Sequence, residues 1–360
     1  MHIPPPPILA QLLSISLALS AFCTESLSTY YSINLPTTQS SLVYLLLSLH
    51  VLFLLPSKRS LSNPANYPNP PVPPPPTTSS AHTFPFTKLP LQVPWYIYAS
   101  LSFLDVQANY LVVLAFRYTS ITSIALIDCT SIPFVLLFSL PLLHATFTRL
   151  QIAAALVCLA GLLLIVYADT HRHGPAANSP DPLKGDLLCL FGASLYALNN
   201  VLAEKFVKTY SRVEYLAFLG LFGTLISTVQ IAVVERDALK DFLTTAPPPA
   251  ILLVAGYVMS ITSFYIGVSL FLQTSSAALL NISLLTSDVY ATVFQVFVEE
   301  FTPSWLYFVA FAVIVGGVVT FNREEREERE GIEGRENKGR ADSDSDTAIL
   351  VKEAGLSDCV

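Results

Sequence analysis

Val93-Pro-Trp-Tyr-Ile-Tyr-Ala-Ser-Leu-Ser-Phe-Leu-Asp105-Val-Gln-Ala-Asn109-Tyr-Leu-Val-Val-Leu-Ala-Phe116 is the stretch on which the fold turns. It is an apolar run long enough to cross a hydrocarbon core of about 30 Å as a helix, with one acid near its centre. Runs of this kind recur along the chain. We read ten: 8–33, 36–55, 93–116, 119–143, 150–168, 185–205, 213–234, 250–272, 275–298 and 303–321. The second is the weakest, because its apolar core runs only from Ser41 to Leu55. The first has no basic n-region and outruns a signal sequence, so it reads as an uncleaved helix.

The composition excludes other classes. Of 360 residues, 52% are hydrophobic and 12% charged, against about 25% charged in a soluble domain. Net charge is −7, and the tail from Asn322 to Val360 alone holds 7 basic and 12 acidic residues. No basic patch is left for a nucleic acid. Cys23, Cys129, Cys158 and Cys189 sit in apolar runs, and no zinc spacing occurs. The six histidines form no metal set, so no metal or cofactor is expected. A Gly-x4-Gly-Lys-Ser/Thr loop is absent, which excludes an ATP-driven pump within this chain. Gly220 and Gly223 read as packing positions, and the sequon Asn281-Ile-Ser283 lies inside a span.

Two segments stand outside the membrane. Residues 56–90 contain 11 prolines, including Pro73–Pro76, a polyproline-like spacer that an SH3-type partner could bind. The tail opens with Arg323-Glu-Glu-Arg-Glu-Glu-Arg329, which can prolong the last helix by charge pairs one turn apart, and its remainder is too polar to pack. Loop charge sets orientation. Both ends and the even-numbered loops carry Lys58, Arg59, Lys88, Arg149, Lys205, Lys208, Arg212 and the tail's seven bases, 14 of the 19. The odd loops carry Arg117, Arg172, Lys184, Arg236 and Lys240. The positive-inside rule puts both ends in the cytoplasm, without distinguishing the plasma membrane from an endomembrane.

An internal repeat is also visible. Shifted by 155 residues, 109–166 lies on 264–321 without a gap. Tyr110 meets Tyr265, Phe116 meets Phe271, Thr119-Ser120 meets Thr274-Ser275, and Gly161 meets Gly316. The third span then corresponds to the eighth. Five helices apart, they have opposite topology, as in transporters built from inverted halves. The expected units are 8–168, 185–321 and the tail 322–360.

The spans contain acids but no bases near mid-depth. Glu25, Asp105, Asp128 and Asp288 lie well inside the first, third, fourth and ninth. An ionised acid at a helix centre costs about 2.5–3.5 kcal/mol. Such a group must line a wet cavity, hold a cation, carry its proton, or be hydrogen-bonded between helices. Other polar residues share faces with them: Gln11, Ser14, Ala18, Ala21 and Glu25; Asp105 with Asn109; Tyr196, Asn200 and Glu204, with Asn199 beside them; and Asn281, Asp288, Thr292 and Gln295. Pro133, five residues after Asp128, frees a carbonyl near it. The candidate site is Glu25, Asp105, Asn109, Asp128, Tyr196, Asn200, Asn281 and Asp288.

Leu104–Tyr110, Ser123–Cys129, Gly185–Val201 and Gly220–Gly223 resemble the F branch of solute carrier family 35, within the drug/metabolite transporter superfamily and related to nucleotide-sugar transporters. The likeness covers Gln11 to Phe321. It implies an all-α membrane protein of ten helices in two inverted five-helix halves, moving a solute by alternating access. Gln107 departs from the family, which usually has Glu there.

The expectation is thus a lipid-embedded secondary transporter, not an enzyme, for a small solute that is neutral or cationic, nucleobase-like or an amine, with proton coupling open. A homodimer is compatible with it. The alternatives are a scaffold or receptor without transport, and, by analogy alone, a nucleotide-sugar transporter. With both ends cytoplasmic, tags at each terminus should be digested together when sealed vesicles expose their cytoplasmic face; protection of one tag only would mean an odd number of spans.

Overall fold

A computed structural model of the chain describes residues 5–54, 82–83, 90–115, 118, 127, 130–173, 181–287, 290, 305–306 and 308–328. Its elements are α1 (Pro6–Tyr31), α2 (Pro36–Ser48), α3 (Val51–Leu54), β1 (His82–Thr83), β2 (Pro90–Leu91), α4 (Trp95–Ala115), α5 (Ser131–Leu143), α6 (Arg149–His173), α7 (Pro182–Thr209), α8 (Arg212–Gln230), a π-helical turn (Ile231–Glu235), α9 (Arg236–Thr245), α10 (Pro248–Thr274) and α11 (Ala277–Leu284). Residues 308–328 are also helical. The two short strands pair antiparallel, His82 with Leu91 and Thr83 with Pro90, at the end of the proline-rich segment.

Local chemistry sets the helix ends. Proline opens α1, α2, α7 and α10, where its missing N–H is not needed and its φ is already helical. Asp181 and Ser276 accept from the N–H groups of Lys184 and Leu279 at the starts of α7 and α11, at 3.2 and 3.1 Å. Ser32 ends α1 and His144 ends α5, both in the left-handed conformation. Pro133 sits in the first turn of α5 rather than interrupting a helix there; the segment before it lies mostly outside the described residues. The helix of α8 runs on through the π turn into α9, where a loop was expected, and no α9 residue is buried.

Among the described residues, five helices are long and apolar enough to cross a membrane: Pro6–Ser28, Trp95–Ala115, Leu183–Thr209, Arg212–Thr245 and Pro248–Thr274. Large apolar side chains such as Leu52, Phe53, Leu156, Leu252 and Phe308 remain exposed on helices, as they do where lipid is the solvent. Inside, α1 lies along α10, α4 along α7, and α2 along α8; α4 also meets α8, and α10 meets α2.

Small residues permit these crossings. A Cβ on Gly220 of α8 would stand 2.6 Å from the Leu47 carbonyl carbon and 2.7 Å from the Tyr44 carbonyl oxygen of α2, backbone that cannot step aside. Gly223, one turn on, faces the Tyr44 ring. These two glycines are packing positions, as their sequence context suggests. Gly161 of α6 meets Ile314 and Ala310, while Gly317 meets Cys158 and Ala154. The close approach of this pair is therefore made by Gly161 and Gly317; Gly316, which the repeat aligns with Gly161, has nothing within 4 Å of its added Cβ.

Gly220→Val should destabilise the protein by about 1–3 kcal/mol through overpacking, while Gly316→Ala, in open space within a helix, should be stabilising by up to about 1 kcal/mol. Melting of both variants purified in detergent tests this; equal behaviour would remove the α2–α8 contact as the cause.

Candidate functional site

Near the middle of α4, Asp105 is 2% exposed. It is held by donors from three other helices. Tyr44 of α2 and Tyr265 of α10 donate their hydroxyls to Oδ2 at 2.6 and 2.8 Å. Asn199 of α7 donates from Nδ2 to Oδ1 at 2.7 Å. The Tyr44 and Tyr265 rings are tilted against each other, 6.2 Å between centroids. A deprotonated carboxylate accepts and never donates, so three convergent donors suit its charged form. Hydrogen bonds to a charged acceptor contribute more than neutral ones.

The network continues one turn along α4. Asn109 donates from Nδ2 to the Tyr44 hydroxyl at 3.2 Å and to the Asp105 carbonyl at 2.9 Å. The Tyr196 hydroxyl donates to Asn109 Oδ1 at 2.5 Å. Beside it runs a narrow crevice of about 20 Å³, lined by Tyr44, Asn109, Tyr110, Val113, Ser227 and Gln230 among others. That is room for about one water molecule. The crevice lies between α2, α4 and α8, toward the end of the protein carrying the first, third and seventh connections.

A second polar cluster joins α1 to the ninth apolar run. Thr286 donates to Ser14 Oγ at 3.0 Å, Tyr290 donates to Gln11 Oε1 at 2.8 Å, and Ser14 Oγ lies 3.1 Å from the Ser283 carbonyl. Asn200 donates to Asn281 Oδ1 at 3.2 Å, and Asn281 in turn donates to the Ala277 carbonyl at 2.8 Å.

Of the residues expected to form the site, Asp105, Asn109 and Tyr196 are brought together, and Asn200 meets Asn281 in a separate pair. Glu25 lies within α1. Asp128 and Asp288 fall outside the described residues. Tyr44 and Tyr265 were not expected. As tyrosines in apolar runs they look like core or interface residues, and only their approach to Asp105 marks them. Asn199 had been placed beside the α7 polar face, not on it.

Other acids do a different job. Glu235, placed by the π turn, accepts from the N–H groups of Thr37 and Thr38 at 2.7 and 2.8 Å and from the Thr38 hydroxyl at 2.9 Å. It caps α2 from another helix. At the opposite end, Glu204 accepts from the Ala277 N–H at 2.6 Å and pairs with Lys208, and Glu325 accepts from the Ser276 hydroxyl at 2.8 Å. Glu214 holds the start of α4 through the Tyr98 hydroxyl and the Gln92 N–H, at 2.6 and 2.9 Å. Carboxylates suit helix N-termini, where N–H groups lack partners and the dipole is positive. Among the described residues no cluster of His, Cys, Asp or Glu could hold a metal.

Residues 84–323 match the sequence model of solute carrier family 35, F branch. The chain belongs to that family. Mouse solute carrier family 35 member F2 is similar, 33% identical over 314 residues, which is 87% of this chain and 77% of the mouse protein. An uncharacterised family member of Schizosaccharomyces pombe is 31% identical over 62% of this chain and 44% of its own. A solved crystal structure with 16% sequence identity superposes with TM-score 0.67 over 89% of this chain and 98% of that one, and so shares the fold. With its membrane-length helices, this family 35 member is an integral multi-pass membrane protein of the solute carrier class.

Replacing Asn199 with Leu removes one donor and leaves Asp105 Oδ1 without it. The loss should be about 1–3 kcal/mol, visible as a lowered melting temperature in detergent, whereas Ser100→Ala on the exposed side of α4 should change little.

Proposed function

We propose that this family 35 member is a secondary transporter that moves a small neutral or cationic organic solute by alternating access. The observation that carries this reading is the polar network at mid-membrane, centred on Asp105 and drawn from α2, α4, α7 and α10. A scaffold has no need of a carboxylate there, and a purely structural tie does not need a crevice that reaches Tyr44 and Asn109 beside it.

The solute class follows from charge. No Lys or Arg lies near the middle of any apolar run. A dehydrated phosphate requires Arg, Lys or helix N-termini. The N-termini of α2 and α11 are already satisfied by Glu235, and by Glu204 with Glu325. An anion would also meet repulsion from Asp105 in a low dielectric. A nucleobase-like or amine solute avoids both problems.

The pattern of helix contacts supports two inverted halves, 8–168 and 185–321; the ten apolar runs and the loop charges support ten spans with both ends cytoplasmic. If α1, α2 and α4 correspond to α7, α8 and α10, the contact of α1 with α10 is the counterpart of α7 with α4. Likewise α4 with α8 is the counterpart of α10 with α2, and α2 with α8 maps onto itself. Two such halves can exchange packings around one site and open it to either side in turn.

Uptake into liposomes containing the full chain tests this. Neutral and cationic nucleosides should enter saturably, with Asp105→Asn reducing uptake at least about tenfold, equivalent to 1.4 kcal/mol. Saturable uptake of a nucleotide sugar, with no response to the other solutes, would overturn the charge argument. No saturable uptake of any of these would favour a scaffold.

A further inference from the structure

Asn199 is 4% exposed, and its Oδ1 is buried without a hydrogen-bond partner among the described residues. Its Nδ2 is bonded to Asp105 Oδ1. An orphaned acceptor beside a buried carboxylate costs stability in this arrangement. It would gain a partner in one other arrangement: if Asp105 carried a proton and the amide turned over, Oδ1 would accept the carboxyl O–H. The Asp105–Asn199 pair therefore has one hydrogen-bonded arrangement for each charge state, the amide oxygen being engaged only when Asp105 is protonated, and the amide turn distinguishes them.

We propose that Asp105 is the proton-binding group that couples proton movement to the transport cycle, with Tyr44 as its relay and Asn199 as the two-position partner. This rests on the transport reading above. A proton enters as hydronium in the crevice, which reaches Tyr44 and Asn109. Tyr44 passes its own hydroxyl proton to Asp105 Oδ2 and takes the hydronium's in exchange, leaving water. The carboxyl group then rotates about its Cβ–Cγ bond, which carries the protonated oxygen from the tyrosine side to the Asn199 side, and the amide flips to accept its O–H. Tyr44 ends as it began, and no other bond changes.

The groups facing Asp105 leave the proton this role. They are Tyr44 on α2, Asn199 on α7, Tyr265 on α10, the nearby Tyr215 on α8, and Asn109 on its own helix. All are phenols or amides, so none supplies a standing positive charge. When Asp105 is charged, its bonds tie α2, α4, α7 and α10 together. When it is neutral, those bonds weaken to roughly half their strength. Both halves of the protein contribute donors, so the protonation state biases the packing of one half against the other.

Two readouts test this without any solute. Infrared difference spectra of the full chain in liposomes should show a protonated-carboxyl band on acidification that Asp105→Asn abolishes. In a Val113→Cys variant, labelling by a water-soluble maleimide, corrected for the native cysteines and for the thiolate fraction at each pH, should rise about tenfold on acidification through the same pH range. That response should vanish when Asp105→Asn is added. Should Asp105→Asn fail to fold, Tyr265→Phe keeps the proposal testable. With one donor lost, the charged form is less well held, and both midpoints should move upward by about one pH unit, a tenfold change in proton binding. A band that survives Asp105→Asn, labelling with unchanged pH dependence in that variant, or unmoved midpoints in Tyr265→Phe would overturn the proposal. Failure of uptake for every solute would instead overturn the transport reading and leave this titration standing.

Discussion

Burying one carboxylate in the middle of a membrane protein constrains everything around it. Lipid offers no hydrogen bonds, so Asp105 must find its donors on neighbouring helices. It finds three, on α2, α7 and α10, and each has to arrive at a fixed depth and rotation. The close approach of α2 to α8 at Gly220 and Gly223 holds the Tyr44 segment in place. Gly192 brings α7 close to Val112 of α4, fixing the helix that carries Asn199 and Tyr196. The glycines and the polar network belong to one design: close backbones allow short side chains to reach the acid.

Among the described residues, the remaining buried acids mark the ends of helices rather than the middle. Glu235, Glu204, Glu325 and Glu214 each satisfy N–H or hydroxyl groups at a helix start on another element. Losing such a cap costs about 0.5–2 kcal/mol. Cross-helix caps also couple the elements they join. Glu235 ties the end of α8 to the start of α2, and the π turn is what aims it there. At the other end, Glu325 ties the final helix to the start of α11. These ties lie at opposite ends of the helices.

Much of this was legible in the sequence because lipid imposes a simple rule: long apolar runs become helices. The segments 8–33, 93–116, 185–205 and 250–272 correspond to α1, α4, α7 and α10. The acid in 93–116 and the polar face one turn apart at Asp105 and Asn109 were visible from spacing alone. So were Gly220 and Gly223 as packing positions. The shorter helix α2 carries less of that signal, and α9 falls in a connection between spans because its amphipathic sequence is too polar to count as an apolar run.

What the sequence determined by itself was the medium, the approximate helices, and the presence of an acid where no base can neutralise it. These follow from hydropathy and spacing, which are properties of single segments. Only the tertiary structure decided which residues answer that acid. Tyr44, Asn199 and Tyr265 lie 61, 94 and 160 positions from Asp105 along the chain, and hydrogen-bond partners across helices obey no sequence period. The same holds for Glu235, whose position relative to α2 depends on a π turn and a helix crossing. Depth, rotation and crossing angle are settled by packing between helices, and packing is where the site was made.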